Sequence, residues 1–371
     1  MTDSHTQPAV GADSAFRGRL EARIAELCEE REALAGRLSP DAASMVRLIR
    51  QLASGGKRVR ALLAFHAHSA CGGSPEDPRI TDLGVAIELF QAAALIHDDI
   101  LDRSDTRRGA PSVHRAFESL HREAGWGLDP ARFGESAAIL TGDLALAMAD
   151  ETFARLDARA GSALRDQFDT MKWEVMAGQY LDIVEEVSAP VVDTADAASR
   201  AMTVLRYKSA KYTFEHPTVL GAHLAGASAE DARRLAEFAL PLGEAYQLAD
   251  DDLGVFGDPA VTGKPAGDDL LEGKRTVLVA FALERATEDE RRVLEHVLGN
   301  PSASPGDVDA ARAVLESTGA RDRALAEARR LVEDGLAHLE PLFGAAAADQ
   351  ARLEGLDALK GLALAAVSRV R

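Results

Sequence analysis

Two clusters of aspartates, each at the end of an apolar run, have a spacing suited to metal binding. Asp98 and Asp102 lie four residues apart at the end of the first run, which on a helix places them on one face about 6 Å apart. Their like charges repel unless a divalent cation lies between them, and hard carboxylate oxygens favour magnesium. An isolated cluster of this kind is more often a helix cap or a solvated charged face.

A second cluster, Asp250 to Asp252, ends another apolar run in the other half of the chain. Side chains from facing helices commonly build metal sites in the core of a helical bundle. Two facing aspartate clusters could therefore hold several magnesium ions around one diphosphate group. Two such clusters are harder to explain as helix caps or solvated charged faces than one cluster alone.

Lysines and arginines that could neutralise a diphosphate lie near both clusters. The segment Gly55–Arg60 opens a predicted helix, so backbone N–H groups and the helix dipole can assist Lys57 and Arg60 in binding an anion. The other candidate basic residues, each of which could be an ordinary solvent-exposed side chain when taken alone, are Arg107, Arg108, Lys208, Lys264 and Lys274.

Composition favours an all-helical protein that does not bind nucleic acid. The chain has 371 residues, of which 46% are hydrophobic and only 5% aromatic, a residue pool that favours helices over strands. The net charge of −18 argues against a nucleic-acid partner, which requires a basic surface. Two cysteines, Cys28 and Cys71, suit a reducing compartment, and no signal peptide or uninterrupted spanning segment is evident. We expect a soluble, cytoplasmic protein.

Helix-periodic stretches separated by glycine and proline breaks suggest a single large helical domain over residues 15–371, after a disordered tail at 1–14. Splitting the chain would separate the two aspartate clusters, and no fixed repeat indicates a solenoid. The predicted helical stretches are 15–37, 41–72, 79–103, 134–159, 161–187, 194–214, 228–254, 268–286 and 306–370.

Taken together, these segments resemble the all-trans polyprenyl diphosphate synthases, also called isoprenyl diphosphate synthases. The resemblance spans roughly residues 45 to 280, with order and spacing preserved throughout. Its motifs are GGKRVR at 55–60, LIHDDILDRSDTRRGAPSVH at 95–114, LTGD at 140–143, GQYLD at 178–182, KSAKYT at 208–213, YQLADDDLGVFGD at 246–258 and GKPAGDDLLEGKRT at 263–276.

The resemblance implies an isoprenoid synthase-like bundle with a central apolar cavity, and it implies a role for each motif residue. Magnesium ions, about three per active site, would be bound by Asp98, Asp102 and Asp250, with Asp99, Asp182 and Asp251 in support. Contacts to the allylic diphosphate would come from Arg107, Lys208 and Lys264, and contacts to isopentenyl diphosphate from Lys57, Arg60, Gln91 and Arg108. Further contacts would come from Ser209, Gln247, Lys274 and Gln179. The family is usually homodimeric.

The activity implied is condensation of isopentenyl diphosphate with an allylic diphosphate. Magnesium and the basic groups would stabilise charge on the departing diphosphate, which would itself take the final proton. In the family, aromatic residues one turn before the first cluster shorten the product. Ala93 and Ala94 stand there, with Phe90 as a possible floor, and this suggests geranylgeranyl diphosphate, a C20 product.

Several alternatives stay open. A farnesyl or longer-chain product would keep the chemistry and move the floor of the cavity. A terpene cyclase of the same helical class, a non-catalytic partner subunit and an acidic scaffold explain the motifs less well. One departure from the family pattern is Gly254, which stands at the fifth position of the second cluster, where aspartate is common. Asp252 cannot replace the missing aspartate, because it lies two residues from Asp250 and points about 200° around a helix. We expect this glycine to weaken support for the third metal.

Overall fold

Capped helices follow one another along nearly all of the chain. The computed structural model describes residues 7–188, 196–257, 267–346 and 349–368, and within these ranges the only strands are a two-stranded antiparallel hairpin, Thr106–Arg107 with Ala110–Pro111. The all-α prediction is confirmed. Lys264 lies outside the described residues.

The helices start at the predicted breaks because polar side chains cap them there. Ser39, Asp77 and Asp129 each accept a hydrogen bond from a backbone N–H two residues on, and a proline occupies the first helical position after each cap. In chain order the helices are α1 (Gln7–Leu38), α2 (Pro40–Ala53), α3 (Val59–Ala70), α4 (Pro78–Leu101), α5 (Val113–Glu123), α6 (Pro130–Ala160), α7 (Ser162–Ser188), α8 (Ala197–Val204), a π-helix (Leu205–Glu215), α9 (His216–Leu224), α10 (Ala229–Phe256), α11 (Asp268–Glu272), α12 (Val277–Leu283), α13 (Glu288–Val297), α14 (Pro305–Ser317), α15 (Ala320–Ala346) and α16 (Gln350–Ala366).

The sequence misplaced several helix boundaries. Residues 7–14, assigned to a disordered tail, are the first turns of α1, where Asp13 pairs with His66 at 2.8 Å. The stretch 41–72 is two helices, because Gly55 and Gly56 adopt positive φ angles of 76° and 91° between them. Helices α5, α9 and α13 were missed, although the capping box of Thr287 and Glu290 marks the start of α13.

Two hydrophobic cores hold these helices together. One is built mainly from α1 to α7, around Phe65, Phe90 and Phe168. The other is built mainly from the π-helix onward, around Phe238 and Leu278. The cavities described below are lined by residues from both halves of the chain, so packing of the two halves assembles the site.

Helix α4 is central to this arrangement. It is long and apolar enough, by length and composition alone, to cross a membrane, but 72% of its most apolar window is buried within the protein. It packs against α6, α3 and α1. Burial of this kind is typical of the core helix of a soluble protein. The polar C-terminal end of α4, with Asp98, lies at the cavity described below.

Candidate active site

A cavity of about 690 Å³ contains most of the predicted polar site residues. Its walls come from the ends of α4 and α10, from α7, the π-helix and α11, and from the loop after α2. The predicted residues that line it are Lys57, Asp98, Asp102, Arg107, Asp182, Lys208, Ser209, Gln247, Asp250, Asp251 and Lys274. The two aspartate clusters therefore share one cavity, which we call the acidic cavity.

Arg107 holds the first aspartate cluster in place. The hairpin after α4 folds back so that Arg107 Nε donates to Asp99 Oδ1 over 2.8 Å, and a guanidinium nitrogen lies 3.7 Å from Asp98 Oδ2. Asp99 is fully buried. Although burial opposes it, the carboxylates hold the pKa of Arg107 above its usual range. Asp99 thus orients Arg107, while Asp98 stays on the cavity wall.

Lys208 projects from the π-helix, a conformation common at functional sites. The sequence had predicted an ordinary helix here. A Cβ atom at Gly178 of α7 would overlap the Lys208 backbone, so this glycine lets the two helices touch. The close contact brings Asp182 into an ion pair with Lys208, whose Nζ also lies 4.0 Å from Asp98 Oδ1.

The second cluster has different partners. Gln247 Nε2 donates to Asp251 Oδ1 over 2.8 Å, and burial raises the pKa of Asp251 to about 8. Asp252 does not line the cavity and instead accepts a hydrogen bond from Arg321 of α15 over 2.8 Å. This agrees with the expectation from helical rotation that Asp252 cannot replace the missing fifth residue.

Lys274 lies between the first cluster and Asp269 of α11. Its Nζ lies 3.0 Å from Asp269 Oδ1 and 3.9 Å from Asp102 Oδ2. Burial and the Asp98 carboxylate nevertheless raise the pKa of Asp102 to about 7. Asp102 therefore resists ionisation, and a multivalent cation beside it would favour its charged form.

A second, more apolar cavity of about 550 Å³ adjoins the acidic one, and Asp98, Lys208 and Asp250 line both. We call it the apolar cavity. Of the residues predicted for chain length, Phe90 and Ala94 line it. Ala93 is instead fully buried in the first core. The reason is helical rotation: Ala94 precedes Asp98 by four residues and shares its face, whereas Ala93 precedes it by five and points elsewhere.

Other residues of the apolar cavity were not predicted as site residues. They are Leu95, Leu101, Leu146, Val175, Met176, Tyr212, Thr213 and Tyr246, with His97 at the rim. Leu95 and Leu101, three residues before and after Asp98, could have been found from helical spacing. The residues from α6 and α7 had no local signal, because only tertiary packing brings them there.

The predicted isopentenyl-diphosphate residues divide between the two cavities. Lys57 lines the acidic cavity, while Arg60 and Gln91 line the apolar one. Arg60 donates to Thr213 over 2.8 Å and lies over the Tyr212 ring, and the Tyr212 hydroxyl donates to Gln91 over 2.6 Å. This network fixes Arg60 and Gln91 relative to each other.

Arg108 and Arg58 position the loop between α2 and α3, which carries Lys57. Arg108 adopts φ of 54° and donates to the Leu52 carbonyl over 2.8 Å, with its guanidinium against Gly56. Burial lowers the pKa of Arg108, and neighbouring arginines add to this. Arg58, which was given no role from the sequence, is buried and bonds Glu88 over 2.6 Å. It anchors the loop that presents Lys57.

The donors present suit magnesium if substrate and water complete its coordination shell. Carboxylate oxygens of Asp98, Asp102 and Asp250 line the acidic cavity, and these are hard ligands. Within the described ranges, no three acidic, histidine or cysteine side chains lie close enough to hold an ion unaided. Magnesium usually keeps several waters and shares phosphate oxygens, so an open donor set is what it requires.

An all-helical bundle in which acidic and basic groups surround one cavity, with an apolar cavity beside it, is the architecture of a prenyltransferase. Residues 43–315 match the family model described as polyprenyl synthetase. The chain therefore belongs to the polyprenyl synthetase family.

Curated relatives and solved structures agree with this assignment. The chain is 33% identical to a geranylfarnesyl diphosphate synthase of Aeropyrum pernix, covering 80% of this chain and 86% of the relative. It is also 33% identical to a geranylgeranyl diphosphate synthase of Sulfolobus acidocaldarius, covering 68% and 70%. A geranylgeranyl pyrophosphate synthase of Corynebacterium glutamicum, solved with isoprenyl diphosphate and magnesium, aligns with a TM-score of 0.86 and 37% identity over 95% of this chain and 98% of that one.

Proposed function

We propose that the protein condenses isopentenyl diphosphate with dimethylallyl, geranyl or farnesyl diphosphate, using magnesium, and that its main product is all-trans geranylgeranyl diphosphate. The observation that carries this proposal is the junction of the two cavities at Asp98, Lys208 and Asp250. A substrate with a charged diphosphate and an apolar tail fits such a junction. We further propose that residues 15–371 act as one domain.

Asp98, Asp102 and Asp250 would hold about three magnesium ions, with Asp99, Asp182 and Asp251 in support. When bound, magnesium would neutralise charge on the allylic diphosphate and stabilise it as a leaving group. Arg107, Lys208 and Lys274 line the same cavity and would bind the diphosphate oxygens. The ion pair of Lys208 with Asp182 supports this role, because it fixes the ammonium beside Asp98.

Lys57, Arg60, Gln91 and Arg108 would bind isopentenyl diphosphate. The Tyr212 network that joins Arg60 to Gln91 supports this assignment. Orientation of the double bond toward the allylic carbon would supply the proximity that the carbon–carbon bond-forming step needs. Ser209 and Gln247 line both cavities and would contact the region where the two substrates meet.

The C20 assignment rests on the small side chain at Ala94. Because Ala94 lines the apolar cavity one turn before Asp98, it leaves room for a growing chain to pass toward Phe90. Relatives named as geranylgeranyl and geranylfarnesyl diphosphate synthases are consistent with a product longer than fifteen carbons.

Product analysis tests the proposal. The purified protein would be incubated with magnesium, isopentenyl diphosphate and each allylic starter, and the products separated after removal of the phosphates. We expect mainly C20. The variant Ala94→Phe should shorten the product, whereas the control Ala93→Phe should lower stability through overpacking without setting chain length. A C15 product, or a product longer than C20, would keep the chemistry and place the end of the apolar cavity elsewhere. No elongation with any starter would reject the synthase function.

We also propose that the protein is a cytoplasmic homodimer. Leu140, Trp173, Met176 and Tyr180 on α6 and α7 are each more than half exposed, and exposed apolar faces of this kind commonly bind a partner. Cys28 and Cys71 are free, which suits a reducing compartment, and burial raises the pKa of each thiol to about 11, which makes both unreactive. Light scattering tests the assembly, and a monomer mass would contradict it.

A further inference from the structure

Gly254 occupies the position in the second aspartate cluster where the first cluster has Asp102. Asp102 follows Asp98 by four residues, and Gly254 follows Asp250 by the same step. Gly254 lines the acidic cavity, so a side chain at this position would point toward the proposed metal site. The chain lacks a carboxylate there in sequence.

The carboxylate of Asp269 fills this space. A Cβ atom at Gly254 would overlap Asp269 Oδ2 and lie 2.6 Å from its Cγ. The backbone N–H of Gly267 donates to the Gly254 carbonyl over 3.0 Å, which fastens the start of α11 to this turn of α10. A glycine at 254 is therefore what allows Asp269 to approach.

The carboxylate of Asp269 and that of Asp102, the fifth residue of the first cluster, share Lys274 as a neighbour. Its ammonium lies 3.0 Å from Asp269 Oδ1 and 3.9 Å from Asp102 Oδ2. The Lys274 backbone N–H also donates to the Asp269 carbonyl over 3.0 Å. The Lys274 ammonium thus lies between the carboxylates of Asp269 and Asp102. Carboxylates at the fifth positions of both clusters would be arranged in the same way.

We propose that Asp269 replaces in space the carboxylate that Gly254 lacks and supports the magnesium ion held by Asp250. This inference rests on the proposed function. Groups that support metal ligands typically change metal affinity about 10- to 100-fold when they are removed. The second cluster is then completed by a residue from a different helix, and the expected weakening at Gly254 is offset.

Binding of inorganic diphosphate, measured by calorimetry at a series of magnesium concentrations, tests this without turnover. Asp269→Asn should raise the magnesium concentration needed for half-maximal binding about tenfold or more, with little change in residual binding in chelator. Glu272→Gln is the matched control, because Glu272 also pairs with Lys274, at 2.6 Å. An equal shift in both variants, or none in Asp269→Asn, would overturn the proposal.

A reciprocal exchange sharpens the test. Gly254→Asp alone places two carboxylates in one space and should bind magnesium poorly, whereas Gly254→Asp combined with Asp269→Ala should recover most of the affinity lost in Asp269→Ala. Failure of the double variant to recover would also overturn the proposal. A wild type that elongates substrate while Asp269→Asn binds normally rejects this inference alone. A wild type that binds no diphosphate with magnesium rejects the proposed function.

Discussion

In the first aspartate cluster, the second acid, Asp99, is fully buried and paired with Arg107. In the second cluster, the corresponding acid, Asp251, receives a hydrogen bond from the neutral amide of Gln247 and has a pKa raised to about 8. The same Asp-Asp pattern after an apolar run thus lies in two electrostatic environments. The second acid of the first cluster is thus neutralised by Arg107, whereas the second acid of the second cluster is held mainly protonated by burial.

The third acids of the clusters differ in direction as well. Asp102 lies on the cavity wall, where burial and Asp98 raise its pKa to about 7. Asp252 turns to Arg321 on α15 and contributes to packing of the second half of the chain. A run of aspartates in the sequence is therefore a poor guide to which carboxylates face a ligand.

The largest expected difference is in catalysis by variants of these third acids. Asp102→Asn should lower kcat/KM by about 10²- to 10³-fold, the usual cost of removing one group that stabilises developing charge. Asp252→Asn should leave kcat/KM nearly unchanged and only loosen the contact with Arg321. Steady-state elongation assays at saturating magnesium make the comparison. Similar losses in both variants would show that the two clusters use their third acids alike.

The part of this site that the sequence predicted is the part set by local spacing. Helical steps of four residues placed Asp98, Asp102 and Ala94 on one face, and Asp252 away from Asp250. Ala93, five residues before Asp98, lies off that face in the first core, and its role in chain length stays a prediction. Spacing of this kind can be read directly from the chain.

Long-range packing set the rest. Nothing adjacent to Asp269 in the sequence indicates that it fills the space at Gly254, because residues of two helices must first pack together. The close contact between Gly178 of α7 and the π-helix that carries Lys208 likewise joins two separate helices. The inward turn of Arg58 toward Glu88 has the same origin, since a GGKR segment reads locally as a solvated helix start.

A smaller effect is expected on stability when the second acid of each cluster is changed. Asp99→Asn leaves Arg107 with a buried charge and, among the described residues, the longer ion pair with Asp98 at 3.7 Å. We expect a loss on the order of 2–3 kcal/mol, below the roughly 3–5 kcal/mol found for fully buried pairs. Asp251→Asn replaces an acid whose ionised form is disfavoured by burial, so at pH 7 the variant should be no less stable than the wild type.

Urea denaturation in chelator at pH 7 measures this difference, with the same chemical substitution in both variants. Circular dichroism reports the helices directly. If Asp251→Asn were destabilised as much as Asp99→Asn, Asp251 would be an ionised partner of a cation, and the contrast between the clusters would disappear.

The smallest expected effect, when expressed per pH unit, is the change in stability of the metal-free protein with pH. The pKa values of Asp102 and Asp251 rise from 3.8 to about 7 and about 8 on folding. Between about pH 4 and pH 8 the folded state therefore binds more protons at these sites than the unfolded state, and its stability falls as the pH rises. Asp251→Asn removes one of these groups, so the wild-type curve should fall more steeply than that of the variant, by about 1 kcal/mol per pH unit. Denaturation in chelator across this range would give parallel curves if Asp251 were ionised throughout. Steeper loss in the wild type would assign this cost to ionisation of the buried Asp251 carboxyl, which a bound cation would offset.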